Sequence, residues 1–399
     1  MTLSLNVILS RIINGGIIIS KFLPYGKQTI GDEDIEEVIK TLKSPLITQG
    51  PKIEEFEKGI AEYCGAKYAV AFNSGTSALH GAYFALGIGK GDEVITSPNT
   101  FVATSNAALY LGANVNFGDV EIQTGNLDAS KIEISDKTKL ISPVHYSGQP
   151  VDLKEFSEIA EENDIKLFED GAHALGAKYD GKKIGSLTYS EMAMFSFHPV
   201  KHITTGEGGI IVTNDEDYYE RLQLFRSHGI TKNNLVNESH GDWYYEMQEL
   251  GFNYRITDIQ CALGISQLKK LDSFVKSRRR IAKIYNEIFE DNPYFDVVVE
   301  KDDRESAYHL YPILLKDKFS NNKSEIFAKL RKEGLGVQVH YIPVYKQPYY
   351  QNLGFNNKLC PVCEEFYKKE LSIPMYPTLN DDDIEFVKET LFKVISQFD

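Results

Sequence analysis

Three short stretches of the chain hold residue types that can do chemistry at spacings that would bring them together. Asn73-Ser74-Gly75-Thr76-Ser77 follows the apolar run Tyr68–Phe72 and opens a helical pattern. A turn of that kind exposes backbone N–H groups at a helix N-terminus, where the dipole favours an anion such as a phosphate. Phe168-Glu169-Asp170-Gly171-Ala172-His173 ends a second apolar run, and carboxylates just beyond strand ends in α/β sheets meet ligands more often than those on helix faces. Phe195-Ser196-Phe197-His198-Pro199-Val200-Lys201 ends a third, before the glycine-rich return Thr204–Gly209. An amine desolvated there loses affinity for its proton and becomes a nucleophile able to form Schiff bases. Taken singly, these stretches are also an ordinary helix cap, a turn cap and a surface lysine.

Together they supply an anion cradle, a carboxylate and an amine, which is the inventory that pyridoxal 5'-phosphate (PLP) requires. A nicotinamide enzyme would instead carry GxGxxG after its first strand. The nearest approach, Gly87-Ile88-Gly89-Lys90-Gly91, has the wrong spacing and precedes its strand.

The elements that must position these residues alternate. Strand patterns at Tyr68–Phe72, Glu93–Ser97, Val115–Phe117, Lys139–Val144, Ile165–Glu169, Met192–Phe197 and Gly209–Thr213 are interleaved with helical patterns at Thr76–Leu86, Phe101–Leu111 and Leu153–Asn163. Such alternation predicts an α/β domain with a mostly parallel sheet and helices on both faces. Thr257–Phe289 reads as one long helix, with Asp258 near its start and Ile259, Leu263, Ile265, Leu268, Leu271 and Phe274 forming a buried stripe. Beyond it, strands at Phe295–Val299, Tyr308–Leu315 and Gly336–Tyr341 with helices at Lys323–Glu333 and Asp381–Gln397 suit a smaller α+β domain. The expected division is an extension over 1–20, a large domain over 21–275 and a small domain over 276–399.

Composition excludes several classes of function. The 399 residues hold 43 Lys+Arg against 57 Asp+Glu, for a net charge of -14, so the chain is a poor nucleic-acid binder. Arg278-Arg279-Arg280, with Lys276 and Lys283, reads as the solvated face of a helix. Four cysteines in so long a chain make no disulfide framework and predict a reducing, cytoplasmic setting. Cys360-Pro-Val-Cys363 has metal-ligand spacing but no second pair, so both thiols are placed at the start of a helix and no metal site is expected. Residues 1–20 lack a basic start, carry Arg11 within the apolar stretch and are too broken for a membrane span. No membrane segment is expected, and Asn237-Glu238-Ser239 is a chance glycosylation triplet.

From about Phe22 onward the chain resembles the sugar aminotransferases of the DegT/DnrJ/EryC1/StrS family. The resemblance is carried by Thr48-Gln49-Gly50-Pro51, Asn73–His80, Glu169–Gly176, Ser196–Gly209, Gly251-Phe252-Asn253-Tyr254-Arg255, Val339-His340-Tyr341 and Leu371–Pro377, in the family's order. It implies the aspartate-aminotransferase fold, also called PLP fold type I. Lys201 is then the Schiff-base lysine and Asp170 the partner of the pyridinium nitrogen. Gly75, Thr76, Ser77 and Ser196 form the phosphate site, His173 approaches the ring hydroxyl, and Phe101 stacks on the cofactor. Asn253 reaches the phosphate of a neighbouring subunit, which implies a homodimer with a shared active site. Tyr25, Thr48, His340 and Tyr341 fall at substrate positions. For His340, packing between strand and loop is an equally good reading of the sequence. Arg226 and His228 could line the site or the dimer edge without a catalytic role.

Lysine at 201 separates the chain from the family's dehydratases, which carry histidine there. The resemblance implies amino transfer from glutamate to C4 of a UDP-linked 4-keto-6-deoxy-N-acetyl-hexosamine. Aminotransferases of the 4-amino-arabinose or perosamine type, or a non-catalytic sugar-nucleotide or cofactor-binding module, are the alternatives. Deleting residues 1–20 is expected to leave turnover unchanged in a steady-state assay; a large fall would place them inside the working fold.

Overall fold

The computed structural model describes residues 21–355 and 359–399. The seven strands read from the large domain all form: β1 Tyr68–Phe72, β2 Glu93–Thr96, β3 Asn114–Phe117, β4 Thr138–Ser142, β5 Lys166–Asp170, β6 Met192–Ser196 and β7 Gly209–Thr213. They make one sheet in the order β1-β7-β6-β5-β4-β2-β3. β7 runs antiparallel to β1 and β6, and every other neighbouring pair is parallel.

Both faces of the sheet are buried, which is why the strands read as continuous apolar runs rather than as alternating ones. Ala69, Ala71, Ile141, Leu167, Phe195, Ile210 and Val212 belong to one core cluster. Their neighbours Val70, Phe72, Leu140, Phe168, Met194 and Ile211 belong to the other. The helices of the large domain are α1 Asp32–Leu42, α2 Pro51–Cys64, α3 Gly75–Ala85, α4 Ala103–Tyr110, α5 Leu153–Glu162, α6 Glu216–Arg226 and α7 Asp258–Leu268. α2, α5 and α7 contribute Phe56, Phe156 and Ile265 to the first cluster, and α3, α4 and α6 contribute Ala82, Ala107 and Leu222 to the second.

The long helix expected over Thr257–Phe289 is two helices, α7 and α8 Leu271–Ile288, broken at Lys269-Lys270. No glycine or proline marks the break, and the apolar stripe runs through it, so periodicity could not show it. Tertiary contacts account for it. Gln267 and Lys270 both reach Oδ2 of the buried Asp34, at 2.8 and 2.5 Å. The beginning of α8 packs Leu271 and Val275 on the large domain, and its end packs Ile281 and Tyr285 in a third cluster, so the helix spans both domains.

That third cluster is the small domain. It surrounds the antiparallel sheet of β8 Phe295–Val297, β9 Tyr311–Leu315 and β10 Glu370–Ile373, with helices α9 Lys323–Lys332 and α11 Asp381–Ile395, while α10 Pro361–Lys369 packs Phe366 against Leu314 and Tyr146 in a separate small cluster. In place of the strand expected over Gly336–Tyr341 stand Leu335–Gly336, which pairs in parallel with Leu23–Pro24 and ties the start of the described chain to the small domain, and a single antiparallel bridge from Gln338 to Ser372. Cys360 caps α10 and Cys363 lies in its first turn, both buried.

Arg278 corrects a reading made from sequence. It is fully buried, not solvated, whereas Arg279 and Arg280 pair with Glu300 and Asp381 near the surface. Its guanidinium donates to the carbonyls of Tyr308, His309 and Met375 at 3.0, 3.2 and 2.9 Å. Runs of charge are ordinarily solvated, but here the helix turns one member toward three carbonyls that no regular element satisfies. Arg278→Met leaves these acceptors unpaired and is expected to lower the unfolding free energy by roughly 3–5 kcal/mol, read by denaturant titration.

Candidate active site

The site lies where the C-terminal ends of β1, β5 and β6 face the N-terminus of α3. Asp170 is the last residue of β5 and pairs in register with Met194 of β6. Two residues further along β6, Ser196 sits against the first residue of α3. A Cβ on Gly75 would stand 3.2 Å from both Cβ and Oγ of Ser196, and a Cβ on Gly209 would strike the Ser74 carbonyl at 2.5 Å. At Gly209 the clash is with backbone, so only glycine lets the helix end come so close to the sheet, and at Gly75 a side chain would be a tight fit.

The helix starts here because Ser74 and Ser77 form a reciprocal capping box, at 3.1 Å each way. The Ser77 hydroxyl also donates to Asn73 Oδ1 at 2.7 Å, so it serves the cap. The first-turn amides and the hydroxyls of Thr76, Ser77 and Ser196 gather at this helix end, the kind of place where an anion is favoured.

Asp170 is 2% exposed. Its Oδ2 accepts the Thr104 hydroxyl at 2.7 Å and its Oδ1 the Ala172 amide at 3.1 Å. Burial pushes its pKa up, while these two bonds and the Lys201 charge oppose that rise. The Lys201 amine lies in the same enclosed space, 3.4 Å from His309 Nε2. Desolvation lowers its pKa to about 8, against the raising influence of Asp170.

Histidines crowd this amine. His173 and His309 stand with ring centroids 4.4 Å apart, and His202 donates its Nε2–H to the Ala307 carbonyl at 3.0 Å. Burial holds all three well below the ordinary imidazole range, with the Lys201 charge adding to the effect, so they are neutral. His173 Nε2 meets the Tyr341 hydroxyl at 3.0 Å. His340 bonds Ser372 Oγ through Nδ1 at 2.8 Å, and its ring centroid lies 5.1 Å from that of Tyr25.

The structure thus brings together Gly75, Thr76, Ser77, Asp170, His173, Ser196, Lys201, Tyr25, His340 and Tyr341. Phe101, Thr48 and Asn253 stay on the surface of the chain, Phe101 being 57% exposed. Arg226 is bound to Glu57 at 2.5 Å and to the Ala71 carbonyl at 2.8 Å, a structural role. Sequence reasoning missed Thr104, His309 and Arg278. Nothing in the spacing signals Thr104 or His309, which join the site only through the fold.

Two buried ring nitrogens, His173 Nδ1 and His309 Nδ1, have no partner among the described residues. Unpaired buried polar atoms around a cleft fit a polar ligand that completes them. A nucleophilic amine, a buried carboxylate and a helix-end anion site are the working parts of an aminotransferase. The chain belongs to the DegT/DnrJ/EryC1/StrS aminotransferase family, whose model matches residues 28–392. It is 45% identical over 380 residues to the UDP-4-amino-4,6-dideoxy-N-acetyl-beta-L-altrosamine transaminase of Campylobacter jejuni, covering 94% of this chain and 98% of that one. Among solved structures it superposes on Helicobacter pylori PseC, an aminotransferase of pseudoaminic acid biosynthesis, with a TM-score of 0.89 at 36% identity, covering 94% of this chain and 100% of the other. It also superposes on the PLP-form of the sugar aminotransferase Spr1654 from Streptococcus pneumoniae, with a TM-score of 0.89 at 29% identity and coverage of 94% and 99%.

Because Asp170 raises the Lys201 pKa, neutralising it should move that pKa further down. In the cofactor-free protein, amine-selective labelling of Lys201 is expected to be half-maximal near pH 8, and in Asp170→Asn at a lower pH. A profile with its midpoint in the ordinary lysine range would contradict the burial argument.

Proposed function

We propose that the chain is a PLP-dependent aminotransferase that moves the amino group of glutamate to C4 of a UDP-linked 4-keto-6-deoxy-N-acetyl-hexosamine. The product is UDP-4-amino-4,6-dideoxy-N-acetyl-β-L-altrosamine, an intermediate of pseudaminic acid for surface glycans such as glycosylated flagellin. The observation that carries this reading is the enclosed Lys201 amine, depressed to about 8, beside the buried Asp170.

The residues fit the cofactor. Gly75, Thr76, Ser77 and Ser196 would hold its phosphate, Asp170 its ring nitrogen and His173 its ring hydroxyl, with Phe101 against the ring. Bound there, PLP supplies an electron-withdrawing ring that stabilises negative charge at the amino carbon of the substrate. Lys201 is the base: with a pKa near neutrality it takes a proton at the substrate carbon and returns one in the other half-reaction. Asp170 keeps a negative charge within reach of a protonated nitrogen, steadied by Thr104 and the Ala172 amide. Tyr341, His340 and Tyr25 form the wall toward the small domain and exclude water from the amine.

A second copy of the chain completes the site. Leu46, Ile47, Phe101, Trp243, Leu250 and Phe252 are all exposed, and so is Asn253. Exposed apolar side chains of this size suit a homodimer in which Asn253 reaches the neighbour's phosphate pocket. Four free, buried cysteines suit a reducing cytoplasm. No helix among the described residues is long and apolar enough to cross a membrane.

The test is an absorbance titration. Wild type is expected to show a yellow, borohydride-reducible band that glutamate bleaches and the UDP-linked keto-sugar restores. Lys201→Ala should not cycle, with turnover lowered at least about 100-fold. Bleaching by glutamate without restoration by this sugar would move the substrate to another nucleotide 4-keto-sugar, such as a 4-amino-arabinose precursor. Absence of the band would leave a binding module.

A further inference from the structure

Behind the cleft, His340 ends a chain of hydrogen bonds whose direction follows from its donors. Glu370, the first residue of β10, is wholly buried. Its Oε2 accepts the backbone N–H of His340 at 2.9 Å, and its Oε1 accepts the Ser372 hydroxyl at 2.5 Å. Burial raises its pKa, and the charge of Lys323 is the largest influence pulling it back down. Burial carries it to about 7, so at mildly alkaline pH, with that cation near and two donors facing its oxygens, Glu370 is a carboxylate, which can only accept.

Ser372 has one hydroxyl hydrogen, and it is committed to Glu370. The remaining contact at Ser372 Oγ is His340 Nδ1 at 2.8 Å, toward which the oxygen has only lone pairs to offer. Nδ1 must therefore carry the ring proton. Burial and the Lys201 charge hold the His340 pKa near about 3, so the ring is neutral. A neutral ring protonated at Nδ1 has a bare lone pair at Nε2. No described residue bonds that nitrogen, and the ring stands between Tyr25 and Tyr341 at the wall of the site.

We propose that Glu370 and Ser372 are positioning residues that lock His340 in the Nδ1–H tautomer, so that Nε2 offers an acceptor to a hydroxyl or amide N–H of the amino-acceptor sugar. This rests on the reading of the site as that of a sugar aminotransferase. The relay makes His340 selective: it receives a donor group from the substrate and gives nothing in return, so an acceptor sugar lacking that donor covers the lone pair and leaves it unpaired.

Glu370→Gln reverses the chain with little change in shape. The backbone N–H of His340 still requires an acceptor, so the new carbonyl must face it and the new amide must face Ser372. Ser372 then donates to Nδ1, and the ring proton moves to Nε2. In full-length protein carrying ¹⁵N-labelled histidine, at mildly alkaline pH, the wild-type His340 is expected to show a protonated Nδ1 and a bare Nε2, assigned by its loss in His340→Asn. Glu370→Gln should exchange the two signals, and Ser372→Ala should leave them averaged. KM for the keto-sugar should rise about tenfold in Glu370→Gln, as for the loss of one hydrogen bond, while the rate of bleaching by glutamate stays unchanged.

A wild-type ring protonated at Nε2, or no exchange in Glu370→Gln, overturns the relay. An exchange without a change in KM for the sugar overturns the recognition role. If glutamate fails to react even with wild type, the aminotransferase reading falls while the tautomer result still stands or fails by itself.

Discussion

An amine and a carboxylate enclosed at the same sheet edge set the terms for the rest of this structure. Each loses hydration on burial, and their mutual attraction offsets that loss only when further hydrogen bonds reach the carboxylate. Thr104 and the Ala172 amide provide them for Asp170. Lys201 receives less, a long contact to His309, and the imbalance is what lowers its affinity for the proton. A lysine fully compensated by carboxylates would keep its proton and do no chemistry. The neighbouring histidines follow from the same constraint, since a positive ring beside Lys201 would depress it further, and burial keeps all of them neutral.

The fold supplies that edge through close approach. Two glycines, Gly75 and Gly209, let the start of α3 lie against β6 and β7, which brings first-turn amides within the same site as the amine. Arg278 works from the other side. By gathering the carbonyls of Tyr308, His309 and Met375 it fixes the loop that carries His309 to Lys201 and joins the small domain to the cleft. The site is therefore assembled by both domains, and the wall bearing His340 and Tyr341 is held by β10 through Glu370 and Ser372.

Much of this was legible in the sequence, for definite reasons. Strands buried on both faces leave unbroken apolar runs, and residues just past their ends are where a ligand meets the sheet, so Asp170 and Lys201 stood out by position. Gly75 stood out as the turn into a helix. Thr104 and His309 could not, because each meets its partner across 66 and 108 residues without any local pattern. The break at Lys269-Lys270 was hidden because the apolar stripe continues through it and its cause, Asp34, lies far back in the chain. Arg278 was hidden by its neighbours, since a run of three arginines reads as one solvated face although the helix buries one of them. Phe101 and Asn253 were legible only through family resemblance, and in the single chain both remain exposed.

On the proposed function, nitrogen passes from an amino acid to a sugar carbon through Lys201. The most direct measurement is to supply ¹⁵N-glutamate with the UDP-linked 4-keto-6-deoxy-N-acetyl-hexosamine and follow the label by mass spectrometry and NMR. The account predicts ¹⁵N at C4 of the sugar, in step with 2-oxoglutarate, for wild type and none for Lys201→Ala. Turnover of glutamate with no label in any nucleotide sugar, or labelled sugar formed equally well by Lys201→Ala, would contradict it.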